Sequence, residues 1–292
     1  MADDDLRVRR RSIFDEDPDN YHAARPGYPE RVYEVLAECG LHPGAQVLEI
    51  GPGTGQVTGR LVAEGASVVA VELGAGLAAR LRANLAGRDV TVVEGDFAAV
   101  ELPSEGFDLA VCATALHWLD ADVAVRRLAG LIRPGGWLAV WWTVFGDPDR
   151  TPAWRADLQE LYRRWMPDEV RDPAEMPAPM RVGDRTAELA AGGWFGPVHV
   201  ELIRWDNPLT PAAARALWAT FPNVRELDPA RREGFLDDVA EIIVCQPGGS
   251  VVDHYVTALY TAERQPDTAL QRSVDESPGQ ADLLGWLQGA DA

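Results

Sequence analysis

The sequence predicts an α/β fold with a doubly wound, mostly parallel sheet, and two observations carry this prediction. Between Gln46 and Val144, short apolar runs alternate with helical repeats and short connections, which is the pattern of parallel strands joined by helices. The run Val47–Ile50 leads into glycines at positions 51, 53 and 55. Such glycines let the chain turn sharply and bring bare backbone N–H groups close to a ligand. We therefore expect a ligand site at the carboxyl edge of the sheet.

Five strands are predicted in this first part of the chain. They are short apolar runs, at Val47–Ile50, Ser67–Glu72, Val90–Val93, Phe107–Ala113 and Trp137–Val144. A turn over Arg133–Gly136 precedes the fifth strand. Helices with apolar residues three or four positions apart begin near Pro29, Gly55, Leu77 and Asp120. Asp120 can cap the last of these, and Pro29 suits the first turn of a helix that runs to about Glu38.

The alternation of strand and helix stops after Gly146. Helical stretches are predicted over 154–165, 211–221 and 229–244, and strands over Val198–Trp205 and Val251–Glu263.

We predict one domain over residues 25–265. A polar arm over 1–24 precedes it and is expected to be mobile, and a polar tail over 266–292 follows it. Helical insertions at about 149–190 and 208–246 are expected to form a lid or cap on the acceptor side of the site. The arm continues as Tyr21–Pro29, which two prolines and a glycine are expected to hold in a fixed, non-helical course.

Composition narrows the possible partners. The chain has 292 residues and a formal net charge of −19, from 27 basic and 46 acidic residues. Such a surface repels phosphate backbones, so we expect no nucleic-acid partner. No apolar run approaches the roughly 18 residues that span a bilayer, and Met1–Arg11 does not form a secretory signal. A cytoplasmic protein without a membrane partner is expected. The 3 cysteines are too scattered for a disulfide framework or a metal site.

Two common nucleotide sites do not fit the glycine turn. The dinucleotide fingerprint requires a third glycine at position 56, where Gln56 stands. A phosphate-binding loop of the Walker type needs a lysine, and the chain contains none. The absence of lysine also excludes Schiff-base chemistry on a lysine amine.

Several motifs together resemble one family. The opening Leu-Glu-Ile-Gly-x-Gly-x-Gly at positions 48–55, the strand-end acid Glu72, the pair Asp96–Phe97 and the segment Thr114–Trp118 occur in the order and at the spacings of class I S-adenosylmethionine-dependent methyltransferases that act on small molecules. The resemblance covers roughly Tyr21–Val144, and the last predicted strand also fits. It implies a Rossmann-like fold, S-adenosylmethionine as cofactor and S-adenosylhomocysteine as product.

The resemblance also implies which residues bind the cofactor. Glu49 would face the ammonium of its methionine part, Glu72 the two ribose hydroxyls, and Asp96 the exocyclic amine of adenine, although Asp96 can also be read as the cap of an ordinary loop. Arg25 would pair with the methionine carboxylate. The full predicted set comprises Tyr21, Arg25, Glu49, Gly51, Pro52, Gly53, Gln56, Glu72, Leu73, Asp96, Phe97, Thr114 and Trp118.

His117, Tyr21 and His22 are the candidate catalytic residues. An imidazole can take a proton near neutral pH, so His117 would be the base that deprotonates a hydroxyl or amine acceptor. The alternative is that His117 only helps to shape the pocket, because members of the family that the sequence resembles often carry Gln or another residue at this position. An acceptor that is already nucleophilic needs no base. An aromatic face from Trp118 or Tyr21 would stabilise the sulfonium cation by roughly 0.5–2 kcal/mol.

The predicted function is methyl transfer to O, N or C of a small, apolar or aromatic metabolite. Candidate acceptor-pocket residues are aromatic for the most part: Trp142, Phe145, Trp154, Tyr162, Trp165, Trp218, Phe221, His254 and Tyr255. Two alternatives remain open. One is a protein of the same fold that uses the cofactor in a non-methylating reaction such as a cyclisation, and the other is a nicotinamide-dependent oxidoreductase or ligand-binding regulator. Either a monomer or a homodimer is compatible with the sequence.

Overall fold

A seven-stranded sheet forms the centre of the molecule. The computed structural model describes residues 17–170, 172 and 175–266. The strands β1 to β7 are Gln46–Ile50, Ser67–Glu72, Val90–Glu94, Phe107–Ala113, Ile132–Phe145, His199–Leu209 and Val251–Glu263. The α-helices of this described part, α1 to α10, are Pro18–Ala24, Glu30–Glu38, Gln56–Ala63, Ala75–Asn84, Ala121–Leu131, Trp154–Trp165, Val182–Ala190, Pro211–Trp218, Pro222–Arg225 and Pro229–Val244.

The strands lie in the order β3-β2-β1-β4-β5-β7-β6. β7 runs antiparallel to both of its neighbours, and the other strands run parallel to one another. The chain builds outward from β1 to β3 and then starts again on the other side of β1 with β4. Ligands of open α/β sheets bind where the order reverses in this way, outside the carboxyl ends of the strands. The predicted fold class is confirmed.

Both faces of the sheet are covered, as the apolar strands predict. Leu48 and Trp142 belong to the apolar cluster that packs against α5, while Val47 and Trp141 belong to the cluster that packs against α2 and α3. Successive side chains of a strand point to opposite faces. A strand that is buried on both faces is therefore apolar at most positions, which is why these strands read as nearly continuous apolar runs.

β5 begins earlier than predicted. The expected turn over Arg133–Gly136 lies inside a strand that starts at Ile132, at a place where the register with β4 shifts between Phe107 and Leu109. Gly135 has a φ of +79° there, in the left-handed region. The glycine signal is thus explained by a bulge, which uses the same backbone freedom as a turn without ending the strand.

The expectation that Tyr21–Pro29 follows a non-helical course is wrong for residues 21–24, which belong to α1. Asp17 caps this helix by accepting a hydrogen bond from the N–H of Asn20 (3.2 Å). Pro18 stands in its first turn, where a missing N–H costs nothing and a fixed φ favours the helix. The helix ends at Arg25, whose backbone is extended.

Two predictions concern the N-terminal arm and the C-terminal tail. Residues 1–16 of the predicted mobile arm (1–24) and residues 267–292 of the predicted polar tail (266–292) lie outside the described residues. Within the described part, no helix is both long enough and apolar enough to cross a membrane.

Helices α6 and α8 to α10 pack together beside the carboxyl-terminal strands, and we call this group the cap. Its apolar cluster includes Trp154, Leu217 and Phe235, and it also includes Tyr255 of β7. The cap therefore shares its core with the sheet.

A buried ion pair joins the cap to the sheet. Arg155 of α6 donates from Nε and Nη2 to the two carboxylate oxygens of Asp253 on β7, at 2.8 and 2.5 Å. The Asp253 side chain has 0% of its surface exposed, and that of Arg155 has 17%. Gly146 makes room for this arginine, because a Cβ at Gly146 would lie 2.6 Å from the guanidinium.

We expect Asp253→Ala to lower the free energy of unfolding by about 3–5 kcal/mol, because the substitution leaves the Arg155 charge partly buried without its partner. Chemical denaturation checks this. Glu160→Ala is the matched control, since Glu160 pairs with Arg163 on the surface of the same helix with 73% of its side chain exposed. An exposed pair contributes about 0–1 kcal/mol. Equal losses in the two variants would contradict the assignment.

Candidate functional site

The turn after β1 depends on its glycines. Gly51, Gly53 and Gly55 have φ values of +65°, +59° and +93°, which side chains rarely adopt. A Cβ at Gly51 would lie 2.6 Å from the Cβ of Ala115, in the segment after β4. The two loops at the reversal of strand order can approach this closely only because Gly51 has no side chain.

The carboxylate of Glu72, at the end of β2, joins two loops. Its Oε2 accepts a hydrogen bond from the N–H of Gly53 and its Oε1 accepts one from the N–H of Gly74, both at 2.9 Å. The residue is only 6% exposed. Each carboxylate oxygen has a second lone pair, so the same group can also accept hydrogen bonds from a ligand.

Glu49 is a buried carboxylate beneath the glycine turn. It is 1% exposed, and neither of its oxygens has a hydrogen-bond partner among the described residues. Burial raises the pKa of Glu49 to about 8; the nearby Glu72 charge adds to the shift, and the Thr58 hydroxyl opposes it. A carboxylate in such a place is stabilised by a proton or by a cationic ligand.

Thr114 follows β4 in an unusual backbone conformation. Its φ is +54°, which is an outlier for a β-branched residue. The N–H of Thr114 donates to the carbonyl of Trp141 (2.7 Å), and its hydroxyl lies 3.3 Å from that of Tyr28. Backbone strain of this kind persists where the surroundings hold it and clusters at functional sites.

The imidazole of His117 is held by two tryptophans. The indole N–H of Trp142 donates to Nδ1 of His117 at 3.0 Å. The ring of Trp118 lies against the imidazole, with 4.4 Å between the ring centroids. The orientation of His117 is therefore set by β5 on one side and by its own loop on the other.

Arg25 lies among aromatic rings. Its guanidinium carbon is 4.8 Å from the ring centroid of Phe221, 5.2 Å from that of Phe145 and 5.4 Å from that of Tyr21. One of its nitrogens donates to the carbonyl of Thr220 (3.3 Å). Among the described residues, no carboxylate forms an ion pair with Arg25. Burial lowers the pKa of Arg25 from its usual value.

Polar contacts hold α1 against the glycine turn. His22 Nδ1 lies 2.9 Å from the hydroxyl of Thr54. The amide nitrogen of Gln56 donates to the carbonyl oxygens of Arg25 (2.8 Å) and His22 (3.3 Å). Gln56, which replaces the third glycine of the dinucleotide fingerprint, thus binds the N-terminal segment.

A cleft of about 380 Å³ opens at the carboxyl edge of the sheet, within the usual size range of small-molecule sites. Nine of the predicted cofactor-binding residues line it: Tyr21, Arg25, Gly51, Gly53, Glu72, Leu73, Phe97, Thr114 and Trp118. His117 lines it as well. The further lining residues are Ile50, Val71, Leu77, Gly95, Ala113, Ala115, Leu119, Phe145, Phe221 and Pro222.

Five predicted site residues do not line the cleft: Glu49, Pro52, Gln56, Asp96 and His22. Asp96 Oδ1 accepts a hydrogen bond from the N–H of Ala98 (2.9 Å), which is the loop-capping contact. Glu49 lies one layer below the turn, and Gln56 and His22 fix the position of α1.

Most of the predicted acceptor-pocket aromatics belong to the core. Phe145 and Phe221 line the cleft and contact each other, with 5.2 Å between ring centroids. The others pack in apolar clusters of the sheet or the cap, apart from His254, which pairs with Asp206 (2.8 Å). Aromatic spacing in the sequence predicts burial here, and it does not separate a pocket wall from a core.

The sequence analysis missed several contributors. Thr54, Asn84 and Thr220 hold the N-terminal segment and the loops, and Asn84 donates to the carbonyl of Thr54 at 2.8 Å. No motif marks Asn84 or Thr220, and Thr54 is an unspecified position within the glycine motif. Ala113 and Ala115 were within reach of sequence reasoning, because they flank a predicted strand end at the ligand-binding edge.

Comparisons with known proteins identify the family. A family described as "Methyltransferase domain" matches residues 48–140. An uncharacterized methyltransferase of Mycobacterium tuberculosis is 30% identical over 227 residues, which are 78% of this chain and 84% of that protein. A methyltransferase-like protein of Schizosaccharomyces pombe is 26% identical over 87% of this chain and 96% of its own length.

Solved structures show the same fold. A candidate type II methyltransferase from Anaeromyxobacter dehalogenans has a TM-score of 0.60 at 21% identity, over 83% of this chain and 99% of that one. Phosphoethanolamine N-methyltransferase 2 of Haemonchus contortus, in complex with phosphomonomethylethanolamine and S-adenosylhomocysteine, has a TM-score of 0.53 at 15% identity, over 86% of this chain and 58% of that one.

The fold, the glycine turn and these relatives define a methyltransferase. The chain belongs to the class I S-adenosylmethionine-dependent methyltransferases, and the resemblance stated from its motifs is confirmed.

Glu49 should give the protein a pH-dependent stability. An unfolded glutamate loses its proton near pH 4.3, whereas the folded carboxyl keeps it until about pH 8. Between these values the native state binds more protons, so the free energy of unfolding falls as pH rises, by up to about 1.4 kcal/mol per pH unit. Denaturation of the wild type and of Glu49→Gln from pH 5 to 8.5 measures this contribution.

Because a glutamine side chain cannot titrate, we expect the difference in unfolding free energy, variant minus wild type, to rise with pH across this interval. Glu94→Gln, at the exposed end of β3, controls for the loss of one acidic residue. A difference that is independent of pH would show that the Glu49 carboxyl is ionised in the folded protein.

Proposed function

We propose that the protein transfers a methyl group from S-adenosylmethionine to a small, apolar or aromatic acceptor bound in the cleft. The observation that carries the proposal is the buried carboxylate of Glu49 at the reversal of strand order, just before the glycine turn, whose oxygens have no hydrogen-bond partner among the described residues. A cationic group of a ligand above the turn would be a partner for the Glu49 carboxylate.

Several residues of the cleft fit the cofactor. Glu72 has lone pairs for the ribose hydroxyls in addition to the two amides that it accepts from. The bare backbone at Gly51 and Gly53 allows a ligand to approach closely. Phe97 is buried at the end of the cleft beyond β3, where its ring can flank a base.

The rest of the cleft offers groups for the other end of the same ligand. Arg25 uses one nitrogen on the Thr220 carbonyl and keeps further donors for a carboxylate, for which a planar guanidinium is well shaped. Tyr21 and Trp118 supply aromatic faces for a sulfonium, worth about 0.5–2 kcal/mol. Phe145, Phe221 and the other apolar residues of the cleft leave an acceptor side that suits an apolar molecule.

When bound, the cofactor supplies an electrophilic methyl group on a positively charged sulfur. The protein's part is to hold that group and the acceptor in line and to exclude water. Pro222 of the cap, the adjacent Phe221 and Tyr21 of α1 line the cleft from segments outside the sheet. They are the residues that would cover both molecules.

The two alternatives are weaker. A non-methylating use of the cofactor would keep every contact above and yield no S-adenosylhomocysteine. A nicotinamide cofactor has no ammonium group for Glu49, and Gln56 stands where the dinucleotide fingerprint has its third glycine. The small-molecule acceptor, the absence of nucleic-acid and membrane partners, the monomer or homodimer, and the cytoplasmic location stay predictions.

Calorimetric titration with S-adenosylmethionine, S-adenosylhomocysteine and NAD, in parallel, tests the proposal. We expect the first two to bind and NAD not to bind. The same protein incubated with candidate acceptors and assayed for S-adenosylhomocysteine separates methyl transfer from cofactor binding alone. Binding of NAD without the other two would contradict the proposal.

Glu72→Gln should weaken the binding of S-adenosylmethionine by at least about tenfold, because the loss of a hydrogen bond between a ribose hydroxyl and a charged carboxylate costs roughly 1.5–3 kcal/mol. Glutamine is chosen because its amide oxygen can still accept from one of the two backbone amides, whereas alanine would release both the Gly53 and the Gly74 amide. Glu94→Gln is the control, since Glu94 lies beside Glu72 on the neighbouring strand β3 but does not line the cleft. Unchanged affinity in Glu72→Gln would remove Glu72 from the site.

A further inference from the structure

The hydrogen bond between Trp142 and His117 has only one possible direction. An indole nitrogen is a donor and never an acceptor. Since its N–H points at Nδ1 of His117 over 3.0 Å, Nδ1 must supply a lone pair. The neutral imidazole therefore carries its proton on Nε2.

The geometry of the ring directs that proton away from the core. Nε2 lies across the imidazole from Nδ1, and Nδ1 faces Trp142, which is only 4% exposed. His117 itself lines the cleft, beside Trp118. His117 thus offers the cleft side a hydrogen-bond donor.

Trp142 is fixed by the sheet. Its backbone pairs with Ala258 of β7, and its ring meets that of Tyr260 edge-on, with 6.0 Å between centroids. The Tyr260 hydroxyl in turn donates to the carbonyl of Pro179 (2.6 Å). The indole cannot turn away from His117 without breaking the packing of the sheet.

This arrangement opposes the use of His117 as a base. To accept a proton at Nε2, the neutral ring must first carry its own proton on Nδ1, and it would keep that proton in the cation that forms. In both states the Nδ1–H would face the indole N–H. Two donors would then meet where one hydrogen bond now lies, and a buried donor without an acceptor is costly. The other titratable groups that line the described cleft are Tyr21, Arg25 and Glu72, and Glu72 is engaged by two backbone amides.

We propose that Trp142 is a positioning residue that fixes His117 as a hydrogen-bond donor to the methyl acceptor. The inference rests on the proposed function, because it assigns His117 a part in that transfer. The acceptor then meets His117 through an oxygen or nitrogen lone pair, and its attacking atom reaches the methyl group with its own lone pair already free.

The transfer balances without a base. The bond between sulfur and the methyl carbon breaks and leaves its electron pair on sulfur, and the acceptor's lone pair forms the new bond. The Nε2 proton stays on His117 throughout. Acceptors that ionise in water or attack as a neutral amine fit this scheme, whereas an alcohol that must lose its proton to an enzyme base does not.

The tautomer of His117 is the direct test. In protein labelled with 15N-histidine and 15N-tryptophan, long-range proton–nitrogen correlation spectra distinguish the two neutral tautomers from the cation. His117→Gln identifies the signals of this ring among the 5 histidines. We expect the Nε2–H tautomer from pH 6.5 to 8.5, together with a coupling across the hydrogen bond to the Trp142 indole nitrogen. A proton on Nδ1, or a cationic ring at pH 7.5, would overturn the proposal.

Two variants separate positioning from packing. Trp142→Phe keeps a buried ring but removes the N–H, and we expect the coupling to vanish and the Nδ1 signal of His117 to move to the position of a nitrogen without a hydrogen bond. Trp141→Phe is the matched control, since the adjacent Trp141 is fully buried on the other face and its N–H has no described partner; its His117 signals should match those of the wild type. An unchanged Nδ1 signal in Trp142→Phe would show that Trp142 does not position the ring. If that variant does not fold, the wild-type tautomer and its coupling to Trp142 still decide the proposal.

The spectra also separate this inference from the proposed function. Binding of S-adenosylhomocysteine with His117 protonated on Nδ1 would overturn the donor assignment and leave methyl transfer standing. An Nε2–H tautomer in a protein that binds neither S-adenosylmethionine nor S-adenosylhomocysteine would confirm the hydrogen bond to Trp142 and refute both the methyl transfer and the role of His117 in it.

Discussion

The carboxylate of Glu72 holds the two loops on which the cleft is built. By accepting from the amides of Gly53 and Gly74 it ties the turn after β1 to the loop after β2. A glycine-rich turn has many conformations to lose on folding, and buried charge-assisted hydrogen bonds offset that loss better than exposed ones do. Its charge also acts on Glu49, whose pKa it helps to raise. Glu49 and Glu72 therefore favour the binding of a cation at this edge of the sheet, the floor of the cleft. S-adenosylmethionine carries two such groups, a sulfonium and an ammonium.

The N-terminal helix α1 connects this floor to the cap. On the cap side, Asn20 donates to the carbonyl of Ala216 and Arg25 to that of Thr220, both at 3.3 Å. On the floor side, Gln56 donates to the carbonyl of Arg25 at 2.8 Å. Because Tyr21 and Arg25 lie between these two sets of contacts, any movement of the cap relative to the sheet changes the walls of the cleft. The geometry of the site thus depends on contacts between segments that are far apart in sequence.

Sequence reasoning reached the elements whose signals are local. Periodicity and spacing predict the carboxyl ends of the first strands, the placement of Glu72 and the Asp120 cap. The Asp120 carboxylate accepts from the N–H of Val123 (3.0 Å). The helix α1 was missed although Asp17 and Pro18 form a capped start, because the proline and glycine after it dominated the interpretation. The partners of Arg25 and Gln56 could not be predicted, since they depend on how distant segments pack.

The two tryptophans of β5 show how packing between distant segments determines the role of a side chain. Trp141 and Trp142 look equivalent in the sequence, yet the alternation of a strand sends them to opposite faces. There the N–H of Trp141 has no described partner, and that of Trp142 meets Nδ1 of His117. A shift of one residue in the register of β5 would exchange the two side chains and remove the donor from His117. The pairing of β5 with β4 and β7 therefore selects the tautomer of an imidazole at the edge of the cleft. For this reason the same His117 that its sequence context presents as a candidate base is, in the folded chain, arranged to keep its proton.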